Sequence, residues 1–136
     1  MNKNQEIIEQ AYSSNMKNMD KNEVSKAVEE TIASLNSGEL RVAEYIDNDW
    51  KVNQWVKKAI LVSFKLRENK ITDTGYTKFY DKLTSKFNNI EEEYLKKNNI
   101  RVVPQAIARE GTYVGKNVVL MPSFMNIGAY VDDGSM

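Results

Sequence analysis

Residues 114–136 constrain this chain most, because they open a short-period β-repeat. Val114, Leu120 and Ile127 recur at intervals of six and then seven, with the turn-forming residues Gly115, Pro122, Ser123, Gly128 and Gly134 between them. That rhythm predicts a parallel β-helix, in which each short rung turns a corner and sends one aliphatic side chain inward. Burying a continuous core in such a repeat takes about three stacked coils. Barely more than one is present, so the remainder of the repeat is expected beyond Met136 or on another chain.

Composition narrows the chemistry. A chain of 136 residues falls within the range of a single domain, roughly 100–200 residues, and has room for a modest core. Nineteen basic and nineteen acidic residues cancel, so the electrostatic footprint of a nucleic-acid or anionic-membrane binder is missing. With no Cys and no His, the chain offers no thiol nucleophile, disulfide, Cys/His zinc site or histidine base; carboxylates, Lys, Tyr, Ser and Thr remain. No metal site is expected. The opening residues lack the apolar core of a signal peptide, and the longest apolar run, 59–62, is too short to span a bilayer. A cytoplasmic protein is the expectation.

The first third reads as two amphipathic helices. Ile7, Ile8, Ala11 and Tyr12 share one face; Val24, Ala27, Val28, Ile32 and Leu35 share a second, with Asp20 or Asn22 as cap and Asn36-Ser37-Gly38 as stop. Val42, Tyr45 and Ile46, the turn residues Asp47-Asn48-Asp49, and Trp50-Lys51-Val52 predict a β-hairpin. Residues 54–67 predict a third helix, with Trp55, Ala59, Val62 and Leu66 on one side. Residues 69–87 show no sustained period and are expected to form a long, partly irregular loop. A short helix follows over 89–98, acidic at its start and basic at its end, and 100–104 reads as a strand entering the repeat. The fold class expected is α+β: a helical N-terminal domain with a hairpin (1–99), then the first coils of a β-helix (100–136).

Several segments together resemble one family. They are Ser37-Gly-Glu-Leu-Arg-Val-Ala-Glu44, Trp50 followed by Gln54-Trp-Val-Lys-Lys-Ala59 and Ser63-Phe64, Phe79-Tyr-Asp-Lys82, Arg101-Val-Val-Pro104, and the run from Val119 to Met136. In that order they resemble the front part of the 2,3,4,5-tetrahydropyridine-2,6-dicarboxylate N-succinyltransferases. The resemblance implies a left-handed parallel β-helix, a homotrimer with sites between subunits, and transfer of a succinyl group from succinyl-CoA to tetrahydrodipicolinate in lysine and diaminopimelate synthesis. Succinyl-CoA would be a co-substrate, with no tightly bound cofactor. It also implies a substrate-binding role for Arg101, whose planar fork donates two parallel hydrogen bonds to a carboxylate. The family's catalytic aspartate lies past the Gly-Ser-Met match, so no catalytic residue is expected within 1–136.

Other residues have plainer readings. Arg101 taken by itself more often pairs with a surface glutamate. Asp132 and Asp133 beside Gly134 shape a corner. Trp50 and Trp55 belong to the core. Lys57 and Lys58 form a solvated helix face, and Glu91, Glu92 and Glu93 solvate a helix rather than hold a metal. No CoA-binding residue is assigned. The alternative to an acyltransferase is a non-catalytic assembly fragment that docks onto a partner's coils. A sugar-nucleotide or serine acyltransferase is disfavoured, because such acyltransferases commonly use a catalytic histidine.

Overall fold

The computed structural model describes residues 2–136, and the chain is α+β. Helices α1 (Lys3–Ser14), α2 (Lys21–Ser37) and α3 (Gln54–Leu66) pack on one another. Local chemistry sets their ends. The Asn2 side chain accepts from Gln5 N at 2.7 Å, and Asp20 caps α2 by accepting from Asn22 N at 2.9 Å. Asn15 and Gly38 close α1 and α2 in the left-handed conformation. The helical stripes meet in a core of Ile8, Ala11, Val24, Ala27, Val28, Ile32, Ala59 and Val62. Burying each large aliphatic side chain contributes about 1.5–3 kcal/mol.

Between α2 and α3, strands β1 (Ala43–Ile46) and β2 (Asp49–Val52) form the expected antiparallel hairpin. Its turn places Asp47 and Asn48 at positive φ. Trp50 is not core: it is 59% exposed and packs on Tyr45 across the hairpin. Trp55, by contrast, is partly buried against the helical core.

Residues 69–87 are not an irregular loop. They contain a second hairpin, β3 (Lys70–Asp73) with β4 (Lys78–Asp81), in the register Ile71 to Tyr80 and Thr72 to Phe79. Both strands are mostly exposed, so no buried face imposes the alternation by which a strand is recognised. Helix α4 (Glu92–Asn98) is shorter than its pattern, with Glu91 as N-cap and Asn99 as a left-handed C-cap that turns the chain into the last third.

That last third consists of parallel strand pairs. Strands β5 (Arg101–Val102), β6 (Ile107–Ala108) and β7 (Tyr113–Val114) pair in order with β8 (Val119–Leu120), β9 (Phe124–Met125) and β10 (Tyr130–Val131). Arg101 lies beside Val119, eighteen residues on, whereas Ile107 lies beside Phe124 and Tyr113 beside Tyr130, seventeen on. A second core forms here from Ile100, Ala108, Val114, Val118, Leu120 and Met125. Val114 and Leu120 point inward as the spacing requires, but Ile127 does not. With one residue fewer in the β8–β9 interval, Met125 takes the inward place, and Ile127 packs against the helical core instead.

Glycines let the helices and the parallel strands approach this closely. Gly38, at φ +83°, lies where a Cβ would come within 2.6 Å of the Tyr113 ring; at Gly111, φ +82°, it would come within 2.7 Å of Ile127. Gly38→Ala combines left-handed strain with that clash and is expected to cost about 2 kcal/mol or more, read as a lower urea midpoint. An unchanged midpoint would show that the seam is not tight. The near edge of β6 is covered by residues 84–86, through Lys86 N to Ala108 O at 2.8 Å and Glu110 N to Thr84 O at 3.0 Å. Strands β9 and β10 have no partner strand on their far edge among the described residues, and β8 meets only Ser135 there, through Val119 N to Ser135 O at 3.0 Å. Such an edge recruits another chain. The isolated 136-residue chain is therefore expected to self-associate as concentration rises, and a monodisperse monomer in light scattering at high concentration would contradict this.

Candidate functional site

Arg101 opens β5, delivered there by the Asn99 turn and held by its backbone N–H to Val118 O at 3.0 Å. Its neighbour Val102 faces the core, so Arg101 faces out and is exposed. The glutamate pairing that would make it purely structural is not formed. Glu92 bonds Lys96 at 2.8 Å instead, and no ion pair among the described residues includes Arg101. The guanidinium thus sits on a short, fixed strand without an acid partner among the described residues.

A cleft of about 430 Å³ opens on another side, between the β3–β4 hairpin and the outer face of β6 and β9. Phe79, Tyr80, Ile107 and Phe124 supply its apolar wall, and Thr72, Ser85 and Asn88 its hydroxyl and amide groups. Arg109 lies at its edge, donating to Asp81 at 2.8 Å and Asn126 at 2.9 Å. The ion pair ties hairpin to strand and leaves the cleft without net charge. It therefore suits an uncharged group better than a dicarboxylate. Arg101 does not line this cleft.

The wall of the cleft depends on residues 82–86. Lys82 Nζ donates to Phe64 O at 2.5 Å, and Lys86 Nζ donates to Asn36 O at 2.9 Å and Asn36 Oδ1 at 3.1 Å. Each lysine thus caps the carbonyl end of one helix, α3 and α2, where the helix dipole favours a cation. Beside them, Arg67 links Glu29 and Glu110, at 2.9 Å to each. Burial works against its charge, but the hydrogen bonds to Glu110 and Glu29 outweigh it and raise its pKa.

The remaining sequence-selected residues have structural tasks. Asp133 Oδ1 accepts from Lys116 N at 2.8 Å, and Asp132 Oδ1 from Asp133 N at 2.8 Å, so both shape a corner. Lys57 is exposed, and Lys58 pairs with Glu9. Among the described residues no cluster of Asp or Glu could hold a metal ion, and no helix is long and apolar enough to cross a membrane. Arg41 and Arg109 were not singled out by sequence. Arg41 stood within a quoted segment, but nothing in a single sequence marks which arginines fold toward aromatic rings or acids.

Residues 3–66 match the family model described as tetrahydrodipicolinate N-succinyltransferase N-terminal. The chain is also similar to curated 2,3,4,5-tetrahydropyridine-2,6-dicarboxylate N-succinyltransferases. That of Acinetobacter baylyi is 54% identical over 114 residues, covering 84% of this chain and 42% of the relative. That of Paraburkholderia phymatum is 56% identical over 113 residues, 82% and 41%. That of Polynucleobacter asymbioticus is 49% identical over 138 residues, 97% and 50%. The chain spans about half the length of the curated relatives it matches, or somewhat less.

Burial pushes the Lys86 ammonium down from 10.5 to about 8. From pH 8 toward 10 the unfolded chain holds this proton while the folded chain releases it, so Lys86 makes stability rise with pH across that window. Tyr113, raised first by burial and then by Tyr130 and nearby Asp133, opposes the rise only near and above pH 10. Urea midpoints measured from pH 7.5 to 9.5 are expected to climb, and the climb to vanish in Lys86→Met. Parallel curves for both proteins would refute this origin.

Proposed function

Because the chain belongs to the tetrahydrodipicolinate N-succinyltransferase family, matching its N-terminal part, we propose that it supplies the front portion of an enzyme moving a succinyl group from succinyl-CoA to tetrahydrodipicolinate, in lysine and diaminopimelate synthesis. The observation that carries this is the identity of about half the residues over most of the chain, joined to parallel strands returning every seventeen or eighteen residues. That return matches three six-residue rungs per coil. We read residues 100–136 as the opening of a left-handed β-helix on a helical domain of residues 1–99, in a cytoplasmic homotrimer.

In this reading Arg101 receives a carboxylate of the substrate. Its outward position on β5 and its freedom from ion pairs support the role, since a guanidinium already bound to an acid would have to exchange partners. Fixing one carboxylate orients the acceptor toward the donor, which converts a two-body encounter into a positioned one. Water adds across the ring C=N bond and opens the acceptor to an amine; that nitrogen attacks the thioester carbonyl, the carbon–sulfur bond breaks, the nitrogen's proton passes to a base, and CoA leaves as thiol. None of residues 1–136 is assigned that base. The parallel strands serve as a rigid wall that holds Arg101 in place.

The test joins residues 1–136 to the remaining half of the Acinetobacter baylyi relative and follows thiol release from succinyl-CoA in the presence of tetrahydrodipicolinate. Turnover is expected from the fusion, and none from residues 1–136 alone. Arg101→Gln in the fusion is expected to lower kcat/KM by about 100-fold or more, the loss of a bidentate charge-assisted contact. A folded fusion without turnover would overturn the activity; turnover unchanged by Arg101→Gln would overturn the residue's role.

A further inference from the structure

Four arginines occur in this chain, and two are fully engaged: Arg67 with Glu29 and Glu110, Arg109 with Asp81 and Asn126. Arg101 is exposed, where water satisfies it. Arg41 is different. It is partly buried, its Cζ lies 3.8 Å from the centre of the Tyr130 ring, and its Nε is shut off from solvent with no hydrogen-bond partner among the described residues. No ion pair among those residues includes it. Leaving such a donor unmade is costly, the more so on a charged group, and native folds retain few.

The surroundings define what would satisfy it. Tyr130 supports the flat face of the guanidinium, and Tyr113 packs against Tyr130 with ring centres 4.5 Å apart and planes tilted by 36°. Tyr113 is in turn seated against Gly38. The Arg41 carbonyl accepts from Asn53 Nδ2 at 2.8 Å, which pins the backbone. A guanidinium stacked this way has only its edges left; Nε is closed to solvent, so the donors a carboxylate can reach are the terminal Nη groups. Three acids of the flanking segments, Glu44, Asp132 and Asp133, each use one oxygen elsewhere and form no ion pair with Arg41. Glu44 accepts from Asn53 Nδ2 at 2.9 Å, Asp133 from the backbone of Lys116, and Asp132 from the backbone of Asp133.

We propose that Arg41, on its Tyr130–Tyr113 platform, is a carboxylate-binding site. It belongs to the β7–β10 pair, whereas Arg101 belongs to β5–β8, so it stands apart from the substrate role given to Arg101. The carboxylate is that of a small aliphatic acid or of an Asp or Glu side chain on another polypeptide.

The two sources are separated by titrating the ¹⁵N-labelled 136-residue chain with sodium glutarate, against sodium chloride at matched ionic strength, at two protein concentrations. Arg41 Nε–H is assigned by its disappearance in Arg41→Lys, and the Tyr130 ring protons give a second reading. The expected result is a saturable shift at both positions that chloride does not produce. It should weaken at least about tenfold in Arg41→Gln, read at Tyr130, and persist in Arg101→Gln. An apparent Kd independent of protein concentration identifies a small acid as sufficient. If the Arg41 signal instead moves with protein concentration and glutarate reverses the movement, the carboxylate comes from a second chain, and the site stands. A response that does not saturate, is matched by chloride, or survives in Arg41→Gln overturns the proposal.

Discussion

Everything in this molecule depends on how closely the α2–α3 helices press against the parallel strands. Neither part has a large core by itself. The helical cluster is built of about eight buried side chains, and the strand pairs enclose six. The two are joined where side chains would normally hold backbones apart. Gly38 admits the Tyr113 ring, Gly111 admits Ile127, and Gly128 admits Val42 at 2.9 Å from where its Cβ would stand. Because interiors are packed to near-crystalline density, a seam of this kind behaves as a fixed joint, and it sets where every outward-facing strand residue points.

Charge completes the joint. The segment 82–86 runs between the two parts, and its lysines reach opposite ways along it, Lys82 to the end of α3 and Lys86 to the end of α2. Leu83 between them is buried, and the backbone at 84–86 pairs with residues 108–110. Arg67 adds a third tie by holding an acid from α2 and an acid from the strand region at once. These contacts use cations structurally, which sharpens the contrast with Arg41 and Arg101. Those two guanidinium groups have no acid partner among the described residues.

The same logic explains which expectations succeeded. Helices α1 to α3 were legible because each buries one stripe and exposes the other, so Val24, Ala27, Val28 and Ile32 repeat at helical spacing. The β1–β2 hairpin was legible from its turn residues. The β3–β4 hairpin was not, since Ile71 and Tyr80 are each about 70% exposed and no face demanded alternation. Trp50 was misjudged for a related reason: an aromatic side chain finds a partner across a hairpin as readily as in a core. The role given to Arg101 came from a resemblance alone. The residue's freedom from ion pairs required coordinates.

The sequence by itself determined the α+β class, the three long helices and the first hairpin in order, the ends of α2 at Asp20 and Gly38, and a repeat of roughly six residues that returns strands in parallel. Local spacing suffices for these, because each is set by neighbours a few residues away. Only the tertiary structure decided that the β8–β9 interval is one residue short, which sends Met125 inward and turns Ile127 toward Ile32. It alone decided which arginines are spent on acids and which remain free. Those outcomes arise from contacts between residues far apart in the chain, such as Arg67 with Glu110 and Arg41 with Tyr130, and no local pattern encodes them.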